Sequence, residues 1–445
     1  MISLNSIRDS FEGVIPSVIA TTDPAGMPNI SYLSHVYYVD ERHVALSNQF
    51  FSKTAANVRS SGLATVMVVD GRSGAQHILD LTFRHSEENG ELFERVASHL
   101  AVMSAKQGMA NVMKLRSIDI YRVEDCRAII PVAPLAEAPA SSTSSPRLPL
   151  AANLANAIAS QVDAEAMLDC ALDGLHKQFA FPNVMILVPD DSGEKLTTIA
   201  SRGYARFGIG SETPMGSGTI GIAASTRRPL RISDMRRGQR YASAVRAAFE
   251  AEDHTLRNPL PTLAEPLSQL AVPMLCRGRL TGVLFVESPN SFAFGHEDED
   301  ALLLVASQLA VGLTLSELER FDSRPPETTT ESPTQAEHTS FAVRYFSADG
   351  SIFINNEYVI RGVPGRLLYT LLRQYLDTRR SSFTNREIRR DTSLGLPDFK
   401  DNLETRLILL RRRLEEKAGP VRISRPERGH IELVVEGLPA IELMI

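Results

Sequence analysis

The chain has 445 residues, a formal net charge of −6 and 43% hydrophobic residues. This length predicts about two to four domains, and the composition excludes a disordered or fibrous protein. No apolar run reaches the ~18–20 residues of a membrane-spanning helix, and the first residues lack a basic segment. The three cysteines (Cys126, Cys170 and Cys276) are odd in number and far apart. We therefore expect a cytoplasmic protein without disulfides.

Charge is distributed unevenly along the chain. Residues 340–445 contain 18 basic and 14 acidic residues, whereas the rest of the chain has a net charge of −10. A basic C-terminal part on an acidic body indicates that only this part meets a polyanion.

Two segments rich in Pro, Ser, Thr and Ala divide the chain, at 131–149 and 321–340. Neither shows a helix or strand period, which predicts flexible linkers. The folded segments are then 1–130, 150–320 and 341–438. Each mixes strand and helix patterns, so the predicted class is a multidomain α+β protein.

The first segment contains many short apolar strands separated by turn residues. The predicted strands are Val14–Thr22, Asn29–Val39, Val44–Asn48, Ala64–Val69, His77–Phe83 and Ser117–Val123, and the predicted helices are Lys53–Ser60 and Glu91–Met103. Short strands with turns between them are typical of a sheet that closes on itself into a small barrel.

A set of motifs in this segment resembles the pyridoxamine 5′-phosphate oxidase-like split barrels, which bind FMN. The matching residues are Ile15-Pro16, Gly26-x-Pro28, the run from Ser47 to Thr54, and Gln76. A phosphate dianion needs a fixed cation with hydroxyl donors nearby, and the resemblance implies that Lys53 binds the FMN phosphate. The implied flavin-lining residues are Ser47, Ser52, Lys53, Thr54 and Gln76.

The segment also departs from that family. Ser31 stands where the oxidases have a phosphate-binding arginine, and the oxidases' C-terminal substrate segment is absent, so oxidase activity is not expected. Three states of the barrel stay open. It binds FMN, it binds haem with His35, His77 or His85 facing the group, or it has no cofactor and serves as a dimerisation module.

The second segment begins and ends with predicted helices, Ala152–Phe179 and Asp298–Leu318, around apolar strands. Gly216-Ser217-Gly218-Thr219-Ile220-Gly221 matches the dinucleotide fingerprint G-x-G-x-x-G. The residues before it form a loop and not the apolar strand that a Rossmann turn requires. We therefore reject a dinucleotide site.

The same glycines fit another pattern, together with Arg228-Pro229-Leu230-x-Ile232-x-Asp234 and Arg277-Gly278-x-Leu280-x-Gly282. This pattern resembles a GAF domain over residues 150–318. The resemblance implies an effector pocket over the sheet, walled by the insert 236–267, or a role in dimerisation only. The candidate pocket residues are Tyr241, Arg246, Arg257 and Cys276. The alternatives are solvated side chains and a structural cysteine.

The third segment begins with short strands, followed by an apolar helix and a capping box, Thr384 to Glu387. In the next helix Leu403, Leu407 and Leu410 recur at helical spacing and predict the buried side. A hairpin follows, built from Val421–Arg425 and Ile431–Val435.

This order resembles the OmpR-like winged helix-turn-helix of bacterial transcriptional regulators. In that family a recognition helix enters the major groove and the wing reaches a neighbouring groove. The implied DNA-binding residues are Lys400, Asn402, Arg406, Arg411, Arg412 and Arg413 on the helix, and Arg425 and Arg428 on the wing. The alternative is a solvated basic helix that binds a protein.

Together the segments predict a ligand- or redox-responsive bacterial transcriptional regulator. It would bind double-stranded DNA and a small-molecule effector, and form a homodimer through the first two segments. The alternative is a flavin-dependent oxidoreductase with GAF and DNA-binding regulatory domains. No catalytic residues and no metal-ligand spacing were found in the sequence.

Overall fold

The computed structural model describes residues 2–11, 13, 15–33, 35–48, 52–106, 115–129, 146–190, 192–205, 208–235, 260–318, 340–391, 403–426 and 429–444. It contains sheets of seven, six, four and three strands; the first two follow each other in the chain, and the last two share the C-terminal region. The protein is therefore a mixed α+β multidomain chain, with an N-terminal, a middle and a C-terminal region.

The N-terminal region consists of one antiparallel sheet with two helices. Its elements are a 3-10 helix (Leu4–Phe11), β1 (Ser17–Thr22), β2 (Pro28–Leu33), β3 (Val36–Asp40), β4 (His43–Asn48), α1 (Ser52–Ser61), β5 (Leu63–Val69), β6 (Gln76–Glu87), α2 (Glu91–Lys106) and β7 (Ser117–Ile129). The strand order is β2-β1-β5-β6-β7-β4-β3. The expected strand Asn29–Val39 is thus two strands at opposite edges, and among the described residues no ladder joins them.

The middle region is a six-stranded sheet with helices on both faces. Its elements are α3 (Arg147–Ala159), α4 (Ala164–Lys177), β8 (Asn183–Pro189), β9 (Lys195–Arg202), β10 (Glu212–Pro214), α5 (Gly218–Thr226), β11 (Leu230–Ile232), β12 (Ser268–Cys276), β13 (Arg279–Ser288) and α6 (His296–Leu318). The strand order is β10-β9-β8-β13-β12-β11. The expected single helix Ala152–Phe179 is α3 and α4, because the Asp163 side chain accepts a hydrogen bond from Ala166 N at 2.8 Å and caps a new helix.

Alternate residues of the central strands face two different cores. Leu284 and Val286 of β13 pack with the helices α3, α4 and α6, whereas Val283 and Phe285 pack with α5. Helix α6 is long and apolar enough to cross a membrane by length and composition, but 56% of its apolar window is buried within the protein. Such burial is typical of a core helix.

The C-terminal region combines two small sheets with three helices. Its elements are β14 (Ser340–Phe346), β15 (Ser351–Ile354), β16 (Glu357–Ile360), α7 (Val363–Thr378), β17 (Ser382–Thr384), α8 (Asn385–Arg390), α9 (Leu403–Lys417), β18 (Val421–Ser424), β19 (His430–Val435) and β20 (Leu438–Met444). The capping box at Thr384 and Glu387 is confirmed. Strand β20 pairs in parallel with β14, a contact that the sequence analysis did not predict.

The middle region contacts both of its neighbours. Towards the N-terminal region, Arg72 donates to Phe292 O at 2.7 Å, and Arg228 forms an ion pair with Glu94 at 2.9 Å. Towards the C-terminal region, one apolar cluster is continuous from the helices α3, α4 and α6 to the residues around α9. The candidate recognition helix therefore lies at an interface.

Candidate functional site

Helix α9 is packed against the middle region along most of its length. All residues from Leu403 to Leu410 are buried, and Arg406 is only 5% exposed. Its Nη2 donates to the carbonyl oxygen of Pro189, at the end of β8, at 3.3 Å. The face that was expected to meet DNA, which includes Arg406 and Arg413, is therefore not presented to solvent in this structure.

Four side chains join α9 to the first turns of α4. Arg411 forms an ion pair with Glu165 at 2.5 Å, and Arg412 Nε lies 3.3 Å from the same carboxylate. Arg412 Nη2 also donates to Asp169 Oδ1 at 2.9 Å. We call this set the α4–α9 clasp. Because the Glu165 side chain is only 11% exposed, its negative charge is shielded from water and held by the two guanidinium groups.

Two further candidate DNA contacts are engaged inside the C-terminal region. The buried Arg413 donates from Nε to Val359 O at 2.8 Å and forms an ion pair with Glu416 at 2.6 Å. Arg425 forms an ion pair with Glu404, which is 1% exposed, and burial lowers the pKa of Arg425. Both arginines therefore hold groups of their own region in this structure, and their contact with DNA stays a prediction.

A second ion pair supports the same interface. Arg361, just after β16, donates from Nε to Glu212 of β10 at 2.7 Å, and Lys195 approaches the same carboxylate at 3.2 Å. Burial acts to raise the pKa of Glu212, but the hydrogen bonds and charges of Arg361 and Lys195 outweigh it, and the pKa is lowered. This contact is therefore present above the ordinary pKa of a glutamate and is lost as pH falls through the lowered value.

The α5 face of the middle sheet has a buried polar network. Glu287 on β13 is 0% exposed. Its carboxylate accepts hydrogen bonds from Gln269 Nε2 at 3.1 Å and from Leu263 N at 2.9 Å, and Gln269 Oε1 accepts from Thr219 at 2.7 Å. Sequence analysis missed this network, although one charged residue in the apolar run Gly282–Glu287 is a usable signal.

The proposed flavin residues lie in different places. Ser47 and Thr54 are buried, whereas Lys53 is exposed and the side chain of Ser52 is outside those described. The Thr54 hydroxyl is occupied within the protein, since it accepts from Asn29 Nδ2 at 2.9 Å and lies 3.3 Å from Ser31 Oγ.

Strand register separates the remaining flavin residue from this group. Ser47 pairs with Ile118 near the start of β7, and Gln76 pairs with Ile129 at its end. Eleven residues correspond to about 36 Å of strand length. Within one chain the structure therefore does not bring Gln76 and Ser47 together. The haem candidates His77 and His85 are also eight positions apart on β6, or about 26 Å of strand.

Comparison with protein families identifies the middle region. Residues 163–313 match the GAF domain family. The middle region is a GAF domain. No curated protein matches the chain.

Solved structures resemble single regions of the chain. The GAF domain of a phosphoenolpyruvate-protein phosphotransferase from Acinetobacter has 18% identity and a TM-score of 0.33, covering 39% of this chain and 95% of that one. An FMN-binding protein from Syntrophomonas wolfei subsp. wolfei has 17% identity and a TM-score of 0.25, covering 29% and 88%. Tagged HupZ from Group A Streptococcus has 19% identity and a TM-score of 0.24, covering 31% and 99%.

The expected effector residues of the GAF domain are only partly placed. Cys276 packs against the core shared with α3, α4 and α6, on the face of the sheet opposite to α5 and the Glu287 network. It therefore does not line a pocket on the α5 face, because alternate strand residues point to opposite sides. The other effector candidates, Tyr241, Arg246 and Arg257, lie outside the described residues. So do three of the DNA-binding candidates, Lys400, Asn402 and Arg428.

Proposed function

We propose that the protein is a regulator that binds double-stranded DNA through its C-terminal region, under control of the GAF domain. The observation that carries the proposal is the α4–α9 clasp. The guanidinium groups of Arg411 and Arg412 are engaged by GAF carboxylates. DNA phosphates would require the same groups. GAF docking and DNA binding are then mutually exclusive.

The order of elements in the C-terminal region supports a nucleic-acid partner. Helix α8 follows a capping box, α9 follows α8 and carries three consecutive arginines, and the hairpin β18–β19 comes directly afterwards. Residues 340–445 have a net charge of +4 on an otherwise acidic chain. A helix with basic side chains beside a hairpin suits major-groove insertion with backbone contacts on each side.

The described state is the closed one under this proposal. The first two turns of α9 are buried, so the helix must leave the GAF domain before it enters a groove. An effector changes this equilibrium only if it binds the closed and open states with different affinity.

DNA binding is tested with the full chain and a chain that ends after residue 339. Bound duplexes are first selected from a random pool, and their affinity is then measured by fluorescence anisotropy over a range of salt concentrations. We expect the full chain to bind selected duplexes with an affinity that falls steeply with salt, because phosphate contacts release counterions. Equal affinity of the shortened chain would exclude the C-terminal region as the DNA-binding part. Absence of any duplex binding by either chain would favour a protein partner for α9.

Dimerisation through α3 and α6 stays part of the proposal, and an apolar stripe supports it. Leu304, Val311 and Leu315 are 45%, 41% and 49% exposed on α6, at spacings of seven and four residues that suit a helix–helix seam. A symmetric dimer would bring two C-terminal regions to adjacent half-sites.

We expect Val311→Glu to convert the dimer to a monomer, because a charge in the seam would have to be desolvated. Light scattering measures the mass. The matched control is Leu63→Glu, since Leu63 is exposed on β5 of the N-terminal region. A Val311→Glu protein that keeps the dimer mass would argue against this interface.

The flavin-dependent alternative has no comparable support. The residues implied by the resemblance to FMN-binding barrels do not form one site within a chain. Ser47 on β4 and Gln76 on β6 pair with residues of β7 that are eleven positions apart, and Thr54 is already hydrogen-bonded.

A further inference from the structure

A small cavity of about 70 Å³ lies between the N-terminal region and the GAF domain. Residues of β3 and α2 line one side, and residues of β11 and α6 line the other. A single water needs about 10–15 Å³ on the same measure. The cavity therefore has space for a group of about four or five non-hydrogen atoms.

The cavity has an excess of positive charge. Arg8, Arg95 and Arg231 line it, against one carboxylate, Glu299. That carboxylate is engaged by Arg231, whose Nε lies 2.9 Å from it, whereas the nearest Arg95 nitrogen is 4.0 Å away. Arg8 has no ion pair among the described residues. Arg8 instead lies over the ring of Tyr38, 4.8 Å from its centre. Three guanidinium groups therefore line the cavity with a single carboxylate between them.

Two hydrogen-bond donors at the cavity are buried without a partner among the described residues: the Tyr37 hydroxyl and Arg8 Nε. Tyr37 is 8% exposed and stacks on His35 at 4.6 Å, which fixes its ring. Burial raises the pKa of Tyr37 above its usual value, so the hydroxyl keeps its proton and donates. Buried polar groups are almost always hydrogen-bonded, and these two donors point to a missing acceptor.

We propose that this cavity binds a small oxyanion, either a carboxylate or a phosphate group, held by Tyr37, Arg8 and Arg95. An oxyanion supplies the acceptor for both orphaned donors and a second negative charge beside the three arginines. It would also bridge the N-terminal region and the GAF domain, so its binding would stabilise their contact. The oxyanion is either a free ion or the acidic end of a larger effector.

The probes are inorganic phosphate and acetate, titrated into the full chain by isothermal calorimetry at constant ionic strength set with chloride. We expect saturable binding of at least one of the two. Saturation by phosphate indicates a free ion or a phosphoryl group, and saturation by acetate alone indicates a carboxylate. Saturation by neither would overturn the proposal and leave a cavity filled with water.

Variants assign the binding to the cavity. Arg95→Gln should lower the affinity for the anion about tenfold or more, because charge-assisted hydrogen bonds are the strong ones. Tyr37→Phe should lower this affinity several-fold, because the variant lacks the hydroxyl but keeps the ring that packs on His35. The matched control is Arg84→Gln, since Arg84 lies on β6 with its closest carboxylate 3.8 Å away. Equal loss in the control, or no loss in both cavity variants, would contradict the assignment.

Discussion

Replacing Glu165 with Gln and Asp169 with Asn should tighten DNA binding by the full chain about tenfold or more. In the closed state these carboxylates are the partners of Arg411 and Arg412. Removal of one member of a buried ion pair costs about 3–5 kcal/mol, because the other charge stays buried and unpaired. Glu165 is the buried member, at 11% side-chain exposure, whereas Asp169 is 47% exposed and contributes less. The lost stabilisation affects only the closed state, so the equilibrium shifts towards the state in which α9 is free of the GAF domain.

The matched control for this prediction is Asp173→Asn. Asp173 lies one turn further along α4 and pairs with Lys177 at 2.8 Å and Arg202 at 2.9 Å, both within the GAF domain. It should leave the affinity for the selected duplex unchanged. Fluorescence anisotropy measures the affinity, and circular dichroism checks that both proteins fold. Unchanged or weaker DNA binding in the double variant would show that the clasp does not restrain α9.

The elements that sequence analysis located depend on local patterns. The capping box at Thr384 and Glu387 and the apolar strand of β13 need only neighbouring residues to be recognised, and both are present. The GAF domain was recognised from several short motifs spread over 150 to 318, and the family match covers 163–313. These features are encoded where they form.

The surroundings of α9 are not encoded in this way. Helical spacing predicted one buried face, through Leu403, Leu407 and Leu410, and this face is buried. The same spacing placed Arg406 on a solvent-facing side, because arginine is rarely buried without a partner. Its partner is a backbone carbonyl of Pro189, more than two hundred residues earlier. Only the tertiary structure shows that a GAF strand end and α4 cover this side.

The N-terminal sheet shows the same limit at the level of strand register. The sequence motifs assign Ser47 and Gln76 to one site, but the distance between them depends on which residues of β7 they pair with. Antiparallel register is decided by long-range pairing and by bulges, such as the one between Asp80 and Leu81 in the β6–β7 ladder. Sequence position alone does not contain this information.

Arg413→Ala should lower the free energy of unfolding of the C-terminal region by about 3 kcal/mol, although sequence analysis assigned Arg413 to DNA. The side chain is 5% exposed, bonds Val359 O at 2.8 Å and pairs with Glu416 at 2.6 Å. Its removal takes this donor from the Val359 carbonyl and the paired cation from Glu416, which among the described residues keeps only the hydrogen bond from Gly208 N at 3.2 Å.

Urea unfolding, monitored by circular dichroism, measures the effect of Arg413→Ala on the free energy of unfolding. The matched control is Arg422→Ala, because Arg422 pairs with Glu436 at 2.7 Å with both side chains more than half exposed (58% and 60%). Such a pair contributes at most about 1 kcal/mol. Similar stability of both variants, together with a loss of DNA affinity confined to Arg413→Ala, would return Arg413 to the DNA-binding set. A large loss of stability in Arg413→Ala alone would instead show that this arginine stabilises the position of α9 within its own region. Arg411 and Arg412 are then the side chains for which the GAF carboxylates and DNA compete.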